Sequence, residues 1–166
     1  MKPGSTRARL AALVAFAIAM GWLEGVVVVY IRALLGMERG QPMPEPAAVM
    51  ERLRSVSWLI GTEQMRELAT LVMLAAVAMV AARAWRARLG ALLVCFGVWD
   101  ITYYVALFAM LRWPTSLATM DLLFLIPPHP LWYQPVWVPV AISSVMIAAG
   151  AALFRRESSA GSSPAT

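Results

Sequence analysis

The sequence predicts an all-α integral membrane protein: a four-transmembrane-helix bundle with a short outer amphipathic helix and a re-entrant or interfacial helix between spans 3 and 4. Three observations predict it. Of the 166 residues, 61% are hydrophobic and 14% charged, far from the roughly 25% charged content of soluble domains. The apolar residues gather into runs long enough to cross a ~30 Å hydrocarbon core. The basic residues stand in short clusters at the ends of those runs, as the positive-inside rule expects. The net charge of +5 is therefore a topology signal, and no nucleic-acid partner is expected.

The first span is set at about residues 10–35, behind Lys2, Arg7 and Arg9 and interrupted only by Glu24 and Arg32. Ala17-Ile18-Ala19 resembles a signal-peptidase site, but the apolar run continues past it, which favours a retained span. Prolines 42, 44 and 46 and Gly40 then mark a loop. Val49, Leu53, Val56 and Ile60 recur at three or four residues, with Glu51, Arg52 and Arg54 between them, which reads as the short amphipathic helix. Gly61 is suited to ending it and Thr62 to capping the next, so the second span is set at about residues 62–82, with Glu63 in its first turn.

Arg83, Arg86 and Arg88 form a basic turn before the third span, about residues 89–111, whose far interface is marked by Arg112 and Trp113. Residues 114–126 are mostly apolar, yet about 13 residues of helix cover only ~20 Å. They are therefore assigned to the re-entrant or interfacial helix. Pro127 to Pro130 break it, and Trp132, Tyr133 and Trp137 read as an aromatic belt. The fourth span is set at about residues 136–154, with a kink expected at Pro139 and Arg155 and Arg156 at its end. Residues 1–156 form one membrane domain, and 157–166 read as a disordered tail. The charge bias sets both termini in the cytoplasm and the protein in the cytoplasmic (inner) membrane.

The candidate chemistry is acidic. By rise per residue, Glu24, Glu63, Glu67 and Asp100 fall in one depth band of the outer half of the bundle, and Asp121 reaches it if its segment dips inward. A charge at the bilayer centre costs at least ~2.5 to 3.5 kcal/mol, so such groups call for a partner or a purpose. Arg66, one helical turn from Glu63, is expected to orient the acids, and Tyr103 and Tyr104 to donate hydrogen bonds. Gly21 and Gly25 bracket Glu24 at small-xxx-small spacing and are expected to let a neighbouring helix approach.

If the group binds a metal, Glu24, Glu63, Glu67, Asp100 and His129 are the candidate ligands, and oxygen donors favour a hard divalent cation. With one histidine and one cysteine, Cys95, the chain is poorly supplied for zinc and cannot form an internal disulfide. Ser143 and Ser144 have no histidine at a defined spacing and read as packing residues that bond back into their own helix. The leading expectation is a cavity that binds a proton, a divalent cation or a cationic small solute. The alternatives are an accessory or assembly subunit of a larger membrane complex or homo-oligomer, with its acids in structural ion pairs, and a membrane enzyme with a carboxylate-bound metal.

Overall fold

The computed structural model describes residues 5–37, 39, 41, 44–126 and 129–160. Helix α1 (Thr6–Leu34) is followed by α2 (Pro46–Ser55), α3 (Leu59–Ala81) and α4 (Trp85–Leu111). A short ribbon of β1 (Met120–Leu122) and β2 (Tyr133–Pro135) precedes α5 (Trp137–Ala160). Among the described residues, four helices, α1, α3, α4 and α5, are long and apolar enough to cross a membrane. Their exposed faces carry residues such as Leu23, Val72, Val80 and Val145, which in a bilayer meet lipid chains rather than water.

Helix α1 opens on Ser5, whose Oγ accepts from the Ala8 amide at 3.2 Å, and the chain leaves it through Gly36 at φ +69°. Helix α4 is the spine, packed against α1 on one side and α5 on another. The α1 contact depends on missing side chains: a Cβ at Gly21 would lie 2.5 Å from the Trp99 carbonyl oxygen, and one at Gly25 would lie 2.7 Å from the Ala106 Cβ. The close approach expected at this pair of glycines is made with α4, while Glu24 between them is bonded by Arg66 and Thr70 of α3.

Three sequence expectations change. Helix α3 starts at Leu59, ahead of the expected cap at Thr62. Thr62 does not cap; its hydroxyl donates back to the Trp58 carbonyl at 2.9 Å. The reason is tertiary, because the early start buries Leu59 against Val49, Leu53 and Leu125. The same cluster takes the apolar stripe of α2, whose face is thereby spent on the protein. Pro139 falls in the first turn of α5, where an amide hydrogen has no intrahelical acceptor to lose, so it costs the helix no hydrogen bond.

The largest change concerns residues 114–126, which form no helix. After α4 ends on Arg112 in the left-handed region (φ 57°), the chain makes a turn in which the Thr119 hydroxyl accepts from the Ser116 amide at 3.1 Å. It then pairs antiparallel as β1, with Met120 opposite Pro135, Asp121 opposite Gln134 and Leu122 opposite Tyr133. Leu123 extends the pairing by donating to the Trp132 carbonyl at 2.8 Å. The ribbon satisfies backbone groups that a short helix would leave open at its ends. Helix α5 continues to Ala160, so the first residues of the expected tail are helical, and those from 161 onward lie outside the described residues.

Candidate functional site

The helices and the ribbon line a part-open cavity of about 340 Å³, and all eight residues singled out as binding candidates are on its walls. Helix α1 supplies Glu24, α3 supplies Glu63, Arg66 and Glu67, α4 supplies Asp100, Tyr103 and Tyr104, and the ribbon supplies Asp121. The walls between them are apolar and aromatic, with Phe96, Trp99, Phe124 and Trp132 among them, while Val49 and Leu53 of α2 close one side.

The acids are held in four ways. Arg66 forms a charge-assisted pair with Glu24 through Nη1 and donates from Nε to Glu63 at 2.7 Å, which links α1 to α3. The Thr70 hydroxyl adds a long contact of 3.4 Å to Glu24. Both oxygens of Glu67 accept the Leu125 amide at 3.0 Å, while Gln64 donates to the Leu125 carbonyl at 3.1 Å. Residue 125 is thus strapped to α3 at both its polar groups. Asp100 accepts from the Ser143 hydroxyl at 2.8 Å and Asp121 from the Tyr104 hydroxyl at 3.1 Å.

Among the described residues, Glu67, Asp100 and Asp121 therefore have neutral donors only and no salt bridge. Five acids and two arginines line the cavity, so in their ionised forms the acids outnumber the bases by three. Asp121, at 2% exposure in the ribbon, shows the consequence: burial pushes its carboxyl up to about 6, against the opposing pull of the Arg32 charge and the Tyr104 hydrogen bond.

The candidate metal ligands do not gather into one ligand group among the described residues. Among the described residues, no three His, Cys, Asp or Glu side chains are arranged to hold a metal ion. The physical reason is that donors on different elements claim the carboxylates separately: Arg66 takes Glu24 and Glu63, the Leu125 amide takes Glu67, and Ser143 takes Asp100. His129 is exposed and does not line the cavity; its Nδ1 accepts the Leu131 amide at 3.2 Å.

Tyr104 meets the expectation of a donor, whereas Tyr103 packs edge-on against it with ring centroids 5.0 Å apart. Tyr104→Phe is expected to cost about 1 to 3 kcal/mol, because it strips a buried carboxyl of its side-chain donor. Tyr103→Phe is the control. Thermal unfolding of both variants in detergent checks this, and equal melting temperatures would refute it.

Sequence reasoning passed over several residues of the site. Ser144 does bond back to the Val140 carbonyl at 2.7 Å, but Ser143, one position earlier, turns to Asp100 instead. The available signal was Gly97, one turn before Asp100, which permits α5 to come close enough for that bond. Arg32, placed near the far end of the first span by sequence, is 7% exposed, lines the cavity and lies with its guanidinium carbon 3.8 Å from the centre of the Trp113 ring. Comparison with protein-family models, curated proteins and solved structures finds no match to the chain.

Proposed function

We propose that the chain is a small-solute-binding protein of the cytoplasmic membrane, with both termini in the cytoplasm, whose intramembrane cavity opens outward and takes an organic cation. The observation that carries this reading is the set of three buried carboxylates, Glu67, Asp100 and Asp121, held among the described residues only by neutral donors in a cavity with aromatic walls. Carboxylates attract an ammonium group, and aromatic faces add cation–π attraction of about 0.5 to 2 kcal/mol each. An organic cation suits the arrangement better than a metal, because it needs diffuse negative charge and apolar contact rather than converging ligand atoms. A volume of about 340 Å³ falls within the usual range of small-molecule pockets.

Titration of the detergent-purified protein with hexylammonium, followed by tryptophan fluorescence, tests the reading. Saturable binding is expected, and Asp100→Asn and Glu67→Gln are each expected to weaken it by about tenfold, or ~1.4 kcal/mol. Binding should also weaken as pH falls through about 6, because Asp121 then gains a proton and loses the charge that attracts the ligand. The amine itself stays charged over that range. Variants that remain folded and bind like the wild type would remove the reading.

A second reading is favoured by a specific feature. The Glu24–Arg66–Glu63 group joins α1 to α3, as a structural ion pair in an accessory subunit of a larger membrane complex or homo-oligomer would. Absence of any saturable hexylammonium binding, with co-purification of a stoichiometric membrane partner or a second copy, would decide for it.

A further inference from the structure

Arg32 carries an unanswered question of chemistry. Its Nε and Nη2 atoms are both buried and have no hydrogen-bond partner. These two nitrogens form one edge of the guanidinium plane, the edge whose parallel N–H groups match the two oxygens of a carboxylate or phosphate. The plane is already held by its contact with Trp113, so little freedom is lost when an oxyanion arrives. Leaving such a group buried without acceptors is costly. Asp121 does not answer it, because that carboxylate bonds Tyr104 and makes no salt bridge to Arg32.

A second donor in the same cavity is in the same condition. The Trp99 indole Nε1 is buried without an acceptor, and Trp99, like Arg32, lines the cavity. Arg32 and Trp99, which both line the cavity, therefore have unused donors, and the cavity also holds carboxylates that form no salt bridge among the described residues. A ligand with only a positive charge answers half of this.

We propose that the Nε/Nη2 edge of Arg32 is the seat of an oxyanion, so that the cavity's ligand is a zwitterion with a phosphate or carboxylate on Arg32 and an ammonium group among the carboxylates. The ammonium half rests on the cation-binding reading above; the oxyanion seat rests on Arg32 and Trp99 alone. Both a lipid headgroup and a free small zwitterion have this chemistry.

Four probes separate the possibilities in fluorescence titrations of the detergent-purified protein: hexylammonium, hexyl phosphate, phosphoethanolamine and dihexanoylphosphatidylethanolamine. At least one of the two zwitterions is expected to bind about tenfold tighter than hexylammonium. Arg32→Gln should abolish that advantage, leaving both zwitterions no tighter than hexylammonium. Arg32→Lys should restore little of it, because an ammonium keeps the charge but lacks the paired edge. Preference for the short-chain lipid identifies a headgroup as the source, and preference for phosphoethanolamine a free solute. Arg32-dependent binding of hexyl phosphate without binding of hexylammonium would uphold the seat and overturn the cation reading alone. The proposal is overturned if neither zwitterion exceeds hexylammonium, or if Arg32→Gln and Arg32→Lys, both monodisperse, weaken every probe equally.

Discussion

Arg66→Met is expected to destabilise the bundle by about 3 to 5 kcal/mol, the cost of breaking a buried ion pair from one side. Arg66 is the only cation bonded to Glu24 and Glu63 among the described residues, and both acids are buried. Its removal strands two carboxylates in the interior of the bundle and unties α1 from α3. Glu24→Gln should be milder, because Arg66 keeps Glu63 as its partner. Adding Glu24→Gln and Glu63→Gln to the Arg66→Met protein should recover part of the loss, since the stranded charges are then gone. Thermal unfolding of the series in detergent, arranged as a mutant cycle, measures the coupling. An Arg66→Met protein that melts with the wild type would mean that water or protonation already carries these acids and that the group does not tie α1 to α3.

The second large effect is expected at the crossing of α4 and α5. A Cβ at Gly90 would lie 2.7 Å from both the Gly150 carbonyl oxygen and the Phe154 amide nitrogen. Those are backbone atoms, so no side chain can swing away, and the helices must part. Gly90→Val is therefore expected to cost about 3 kcal/mol or more, at the upper end of overpacking penalties. Because α5 also supplies Ser143 to Asp100, the same variant should weaken hexylammonium binding. Gly61→Ala is the matching control: nothing lies within 4 Å of the added atom, and the position is helical, so it should be neutral or stabilise by about 0.5 to 1 kcal/mol. Melting curves of the two variants decide the matter, and similar behaviour would contradict the crossing geometry.

The four long helices were legible because each is a local property. A bilayer demands a contiguous apolar run, and such runs can be found without knowing what packs on them. The start of α3 was less legible, since it follows from the burial of Leu59 against residues of α2 and the ribbon. The ribbon itself was misread as a helix because its strands, Met120–Leu122 and Tyr133–Pro135, pair residues distant in sequence, and a short apolar segment has no decisive period of its own.

For the site, the sequence by itself determined which groups are costly to bury: Glu24, Glu63, Glu67 and Asp100 at a shared depth, with Arg66 one turn from Glu63. Charge in an apolar run is visible residue by residue, and depth follows from helical rise. Only the tertiary structure decided what each group meets. Ser143 and Ser144 differ by one position, about 100° around the helix, and that rotation alone sends one hydroxyl to Asp100 and the other to its own backbone. Arg32 reads as an interfacial arginine until the end of α4 lays Trp113 against it and leaves one edge of its guanidinium buried without an acceptor. Hydrogen bonds and ion pairs have a reach of a few ångströms, so their partners are set by how helices cross, which no stretch of sequence encodes locally.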